Sequence, residues 1–231
     1  MNKLKTDVHL LQTAVIGSPF RVLNLYACLG GNRLLWEDCE VTAVELDPEL
    51  ARMYQERFPN DKVIIADAHQ YLLNNYKNFD FIWTSPPCPT HSKINISQYT
   101  RESWKPHFPD MKLYEEIIFL DTYFKGKYVV ENVIPYYEPL IPATKRGRHL
   151  YWSNFNIPNY KERDAKIREW QLPQLEAHHK IDLTGYKGEQ NKRKIGRNLV
   201  DYDAGNAIFK AARGIIEKSI INQVSIFDDV A

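Results

Sequence analysis

The chain has 231 residues, 44% of them hydrophobic and 26% charged, which fits a folded globular protein and excludes a disordered one. With 30 Lys+Arg against 29 Asp+Glu the formal net charge is +1, so a uniformly basic nucleic-acid coat is excluded and any such contact must come from a local patch. Three loosely spaced cysteines, Cys28, Cys39 and Cys88, fit neither a disulfide framework nor a paired-cysteine zinc site; they point to a reducing, cytoplasmic compartment. The length suits one large domain, or a catalytic domain with a small addition. The N-terminal residues lack the shape of a signal peptide, and no run approaches the ~20 apolar residues that span a bilayer.

The first half alternates strand and helix. Residues 22–26 (VLNLY) read as a buried strand, followed by Gly30-Gly31 and a helical stretch. Residues 41–45 form a second strand, and Pro48 opens a helix that Pro59-Asn60 stops. A third strand covers 63–65, a short helix 71–76, and a fourth strand 79–83, which Pro86-Pro87 terminates. A polar loop over 88–109 leads to a helix over 111–123 and a fifth strand over 128–130. This order predicts an α/β fold, a doubly wound, mostly parallel sheet. Ligands of such sheets collect at the carboxyl ends of the strands, so the residues there carry the functional reading.

After the first strand stands Ala27-Cys28-Leu29-Gly30-Gly31, either a tight turn or a cradle for a ligand's close approach. Glu45 ends the second strand, 21 residues past Asn24, where an acid holds ribose hydroxyls or caps the helix at Pro48. Asp67 follows the third strand, as a cofactor contact or a helix cap. The fourth strand runs into Thr84-Ser85-Pro86-Pro87-Cys88-Pro89. Two prolines stiffen the backbone and present a thiol, a nucleophile candidate; the alternative is a buried structural cysteine. Polar Thr90, His91 and Ser92 on one side favour the nucleophile. The fifth strand leads into Glu131-Asn132-Val133, whose carboxyl would complete a thiol–acid pair suited to addition onto an electron-poor ring.

This order of motifs, with Arg146-Gly147-Arg148 and Gly205-Asn206-Ala207 later, resembles the DNA (cytosine-5) methyltransferases, and most of all their short phage-type members. The likeness covers most of residues 20–155 and returns at 196–215. It implies a class I S-adenosylmethionine-dependent, Rossmann-like catalytic domain over 1–155 plus 200–231, acting on double-stranded DNA in a bacterial or phage-infected cell. The segment from Asn24 to Gly31 stands where the family binds S-adenosylmethionine, with Tyr26 in place of the usual Phe and Ala27, Cys28 and Gly30 beside it. Glu45 would hold the ribose hydroxyls and Asp67 the adenine amino group, with Leu46, Ala68, Pro86, Asn206 and Ala207 around the cofactor; S-adenosylhomocysteine would be the product. Cys88 would attack C6 of a flipped-out cytosine and Glu131 would assist at N3. Arg146 and Arg148 would support the active site and the DNA phosphates. No metal is implied, and adjacent His178 and His179 cannot chelate from one helix face.

Asn24 departs from the family's Asp and Cys28 from its Gly, which leaves room for a modified sulfonium donor. Arg146 follows Glu131 by only 15 residues, where the family has a further helix and strand, so a trimmed sheet is expected. No match to the family's late Arg-rich helix is found. Residues 156–199 are a short target-recognition region containing Trp170, His178, His179 and Tyr186. Its basic run, Lys187, Lys192, Arg193, Lys194 and Arg197, fits phosphate contacts, with a solvated loop as the alternative; His91 and Ser92 complete the expected DNA surface. So small a reader predicts a short or degenerate target. Near the C-terminus Gln223, Ser225, Ile226 and Phe227 resemble the peptide that docks on bacterial sliding clamps, or else pack on their own domain. Three other functions compete: amino methylation of DNA (N4-cytosine or N6-adenine), cytosine-5 methylation of RNA, and a catalytically silent DNA- or clamp-binding module.

Overall fold

The computed structural model describes residues 18–93, 96, 105, 107–160 and 169–215. The candidate clamp peptide at 223–227 lies outside the described residues. The strands are β1 (Phe20–Leu25), β2 (Cys39–Glu45), β3 (Lys62–Ile65), β4 (Phe81–Thr84), β5 (Lys127–Val133), β6 (Thr144–Arg146) and β7 (His149–Ser153). The helices are α1 (Pro48–Arg57), α2 (Ala68–Asn75), α3 (Lys112–Tyr123), α4 (Leu172–His179), α5 (Lys192–Asn198) and α6 (Tyr202–Ala212). The sheet runs β3-β2-β1-β4-β5-β7-β6. Its first five strands are mutually parallel, and β7 is antiparallel to both β5 and β6.

The expected trimming of the sheet is therefore corrected. The strand after β5 is present as β6, three residues long, and β7 completes the sheet. What is missing between Glu131 and Arg146 is the helix, since residues 134–143 form bends, coil and one isolated bridge from Pro135 to Ser92. A second correction concerns the helical stretch after Gly31. Residues 31–35 are turns, closed by backbone bonds such as Arg33 N–H to Gly30 (3.1 Å) and Trp36 N–H to Arg33 (3.0 Å). The side chains explain the compaction. Arg33 makes a forked ion pair with buried Asp61, and Trp36 sinks into the core to stack on Phe209 at 5.0 Å.

Alternating residues of the parallel strands face two helical layers, as a sheet covered on both sides requires. Leu23, Leu25, Val44, Ile82 and Val130 pack against α2 and α3. Val22, Val41, Phe81, Trp83 and Val129 pack with Trp36 against α6. Central β4 is buried along its whole length. Two crossover helices start at the carboxyl edge with a side-chain cap: Asp47 accepts from Glu49 and Leu50 N–H ahead of α1, and Asp67 accepts from Gln70 N–H ahead of α2. The described part of the 156–199 region joins this body. Leu183, Tyr186, Ile195 and Leu199 share a core with Leu29 and Leu50. Arg57 ties the two by donating to the carbonyls of Leu29 (2.9 Å) and His179 (2.8 Å). No helix among the described residues is long and apolar enough to cross a membrane.

The turn after β1 leans on α6 through a glycine. A Cβ on Gly205 would lie 2.3 Å from the Asn32 carbonyl oxygen, and the Gly205 carbonyl accepts from the Trp36 indole at 3.1 Å. Ala is the better helix former in general, but here the added methyl meets backbone. Gly205→Ala is expected to destabilise the fold by about 1–3 kcal/mol, read as a lower melting temperature; a rise would contradict this packing.

Candidate active site

A cleft of about 720 Å³ opens at the carboxyl ends of β1, β2, β4 and β5. One half is built by the turn after β1. Tyr26 (φ 55°) and Cys28 (φ 47°) are both left-handed, a conformation that side chains other than Gly adopt only when held. The holders are two carboxylates. The Tyr26 hydroxyl donates to Glu116 at 2.6 Å, and the Cys28 N–H donates to Glu45 at 2.8 Å.

Glu116 is completely buried on α3 and also accepts from the Thr84 hydroxyl (2.6 Å), with His69 Nδ1 at 3.1 Å. The Glu116 carboxylate holds the His69 imidazole above its ordinary range. Sequence reasoning missed this network. Its signal was a carboxylate inside the apolar stripe Leu113, Ile117, Leu120 of α3.

Glu45 receives one backbone N–H on each oxygen, from Cys28 and from Asp47 (2.9 Å), and burial pushes its carboxyl up. Asp47, not Glu45, caps α1. Although burial opposes it, Asp47 is held below the usual carboxylate range by Gln190, backbone N–H groups and the Tyr186 hydroxyl. Asn24 and Asn32, both buried, exchange amide hydrogen bonds at 2.8 and 3.3 Å. Their mutual satisfaction explains how Asn24 sits in the cleft wall without charge. Asp67, Leu46, Ala68 and Gly31 line this half as well, while Gly30 sits against Tyr54 and Phe58. Asn206 and Ala207 are not part of the cleft lining; residues 197–200 are, and α6 supports the turn from behind.

The other half is built by the loop after β4. Asn132 Nδ2 donates to the Pro86 carbonyl at 2.9 Å, and the Cys88 carbonyl accepts from the N–H groups of His91 (3.1 Å) and Ser92 (3.0 Å). Cys88 is thus pinned on both sides. Burial, then the charge of Glu131, pushes its thiol up, while Lys194 pulls it down. Glu131 is 7% exposed, with its Oε1 3.4 Å from His149 Nε2. Cys28 lines the same cleft, and burial pushes its thiol up to about 12. Burial also raises Cys39.

The expected arginine pair is divided. Arg148 lines the cleft, whereas the Arg146 guanidinium turns away to the carbonyls of Lys145, Ile157 and Pro158. The basic run is divided too. Lys194 and Arg197, one turn apart on α5, line the cleft; Arg193 caps the carbonyls of Trp170 and Glu169, and Lys192 reaches that of Thr184. Lys187 N–H donates to Glu49. His91 and Ser92 line the cleft, but His91 is buried with its Nδ1 2.6 Å from the Tyr137 hydroxyl, and burial pushes its imidazole down. Tyr186 and His179 are core residues; burial pushes His179 down to about 3. Lys112, Leu113, Asp110, Gln190 and His149 also line the cleft and were not foreseen.

The sheet order with its antiparallel β7, and the cleft at the strand ends, define the class I S-adenosylmethionine-dependent methyltransferase fold. Residues 20–133 match the model of the C-5 cytosine-specific DNA methylases. The protein is accordingly a methyltransferase. No curated protein matches the chain. Among solved structures, Entamoeba histolytica methyltransferase EhMeth is 10% identical, covering 87% of this chain and 100% of its own (TM-score 0.46). A mutant of Spodoptera frugiperda DNMT2 is 22% identical over 49% of this chain and 35% of its own (TM-score 0.36). A putative DNA modification methyltransferase encoded within an E. coli prophage is 20% identical over 52% and 33% (TM-score 0.34). The chain thus spans about a third of the length of the latter two.

The thiolate is the species that alkylates. Iodoacetamide labelling of Cys88, mapped by mass spectrometry, is therefore expected to rise with pH through a midpoint above the ordinary thiol range. Glu131→Gln removes a negative charge and is expected to lower that midpoint. An unmoved midpoint would show that the two groups do not sense each other.

Proposed function

We propose that the protein transfers a methyl group to C5 of cytosine in DNA through a covalent Cys88–C6 intermediate. The observation that carries this reading is a thiol and a carboxyl held in one cleft by a single hydrogen-bonded frame.

The residues fit S-adenosylmethionine. Each Glu45 oxygen accepts one backbone N–H and keeps lone pairs for a pair of ribose hydroxyls. Asp67 Oδ1 accepts from Gln70 N–H and leaves its second oxygen for an amino group. When bound, this cofactor supplies an electrophilic methyl group on a sulfonium. Glu45 orients the ribose, Asp67 the adenine, and Tyr26 and Cys28 set the turn between them.

On the acceptor side, C5 of cytosine is a poor nucleophile. Cys88 adds to C6 while Glu131 protonates N3, so C5 becomes enamine-like and can accept a methyl group. Loss of the C5 proton and of the thiolate restores the ring. The base must leave the duplex first, at a cost of a few kcal/mol. Arg148, Lys194 and Arg197 at the cleft supply charge for the phosphates flanking it.

Duplex DNA containing 5-fluorocytosine cannot lose the C5 substituent as a proton. Wild-type protein with S-adenosylmethionine is expected to form a denaturation-resistant adduct on it; Cys88→Ser is expected to form none. Glu131→Gln is expected to slow adduct formation by about 10²–10⁴-fold. Methylation of an exocyclic amino group without any adduct, or an adduct on tRNA and none on DNA, would overturn the proposal.

A further inference from the structure

Glu131 has a neighbour that the proposed chemistry has not yet used. The antiparallel register of β5 and β7 pairs Val133 with His149 and Glu131 with Tyr151. Glu131 and His149 are therefore diagonal neighbours on one sheet face, a relation that brings long side chains into contact. His149 Nε2 stands 3.4 Å from Glu131 Oε1, and both residues line the cleft. The contact is fixed by strand pairing and also by the Tyr151 ring, which meets the imidazole edge-on at 6.4 Å.

Resting on the cytosine-C5 reading above, we propose that His149 is a positioning residue that shares a proton with Glu131 and so keeps a proton available for the pyrimidine N3. The chemistry requires such a partner. A carboxyl group by itself is ordinarily ionised at neutral pH, and an ionised Glu131 has nothing to give N3. Imidazole is the side chain whose charge ordinarily changes between pH 5 and 8, and an acid–imidazole pair titrates as a unit.

The step balances. The Cys88 thiol first releases its proton to solvent; the thiolate electron pair then forms the S–C6 bond, the C5–C6 π pair moves to C4–C5, the C4–N3 π pair moves onto N3, and a proton from the Glu131–His149 pair forms the N3–H bond. The pair thus ends one proton short until that proton returns from N3. Elimination of the thiolate later runs the same transfer backward.

The charges around the pair are consistent with this role. Tyr151 contacts the imidazole, Arg148 precedes it in the turn that leads into β7, and Arg146 is its register partner on β6 with the guanidinium committed to backbone carbonyls. Cys88 and Lys194 line the cleft alongside the pair, and the Glu131 charge reaches the thiol, raising it. A proton kept on the pair removes that charge and makes thiolate formation easier.

The test is the pH dependence of single-turnover methylation of duplex DNA, wild type against His149→Gln, from pH 4 to 9. Gln keeps a hydrogen-bond donor but carries no transferable proton. The reaction needs a proton on the pair and none on the thiol. With the thiol raised, the lower midpoint of the profile belongs to the pair. In His149→Gln the low-pH limb of the profile is expected to move to lower pH, because the imidazole that shared the proton is gone. The rate near neutrality is expected to drop about 10–100-fold, because less of the protein then carries a proton for N3. Equilibrium binding of S-adenosylmethionine is expected to be unchanged, which shows that the variant folds. A His149→Gln profile that superimposes on wild type, or a slower one with its lower midpoint unmoved, overturns the inference. Wild-type protein that makes no 5-methylcytosine at all overturns instead the reading on which it rests.

Discussion

The proposed chemistry depends on a hydrogen bond that ties the loop bearing the thiol to the strand bearing the carboxyl. The Asn132 amide donates to the carbonyl of Pro86 at 2.9 Å, across from β5 to the loop that follows β4. Asn132 is 2% exposed, so nothing in solvent competes for that bond. On one side of Asn132 is Glu131; two residues past Pro86 is Cys88. Neighbouring parallel strands are adjacent along their whole length, but the loops at their ends are free to splay. Two prolines stiffen this loop; Asn132 fixes it next to Cys88, and the Tyr136 N–H, donating to the His91 carbonyl at 3.1 Å, holds it further on. The distance between thiol and carboxyl is thereby set by the sheet rather than by loop motion, which is what a near-attack arrangement needs.

The donor half follows the same logic with different parts. A backbone that turns left-handed at Tyr26 and at Cys28 has a conformational cost, and the two carboxylates that hold it are drawn from other elements. Glu116 comes from α3, which also delivers Lys112 and Leu113 to the cleft wall. Glu45 comes from β2. From the outside, the segment holding α4 and α5 covers the turn with Leu183, Ile195 and Leu199. It brings Lys194 and Arg197 to the cleft at the same time. What looked from its charges like a separate reading surface is also a structural cover for the turn after β1.

The five parallel strands were legible because each is a short apolar run bounded by turn residues, and the carboxyl-end rule then pointed to the positions of Glu45, Asp67, Cys88 and Glu131. The errors have physical causes. Strand β6 (TKR) is three residues long with no apolar alternation, so no periodicity marks it. Gly30-Gly31 suggested a turn feeding a helix, but the Arg33–Asp61 pair and the buried Trp36 draw the chain into successive turns. Arg146 and Arg148 are two apart on a strand hairpin, and pairing of β6 with β7 sends only the second to the cleft. The contact of His149 with Glu131 depends on the β5–β7 register, which the order of motifs along the chain does not reveal.

The account stands on the frame that Asn132 provides. Its most direct measurement is the rate of covalent adduct formation on 5-fluorocytosine duplex DNA by Asn132→Ala, with S-adenosylmethionine binding followed in parallel. The account predicts a rate lower by about 100-fold, because the loop bearing Cys88 loses its fixed distance from Glu131, with cofactor affinity retained. An Asn132→Ala protein that forms the adduct as fast as wild type would contradict it.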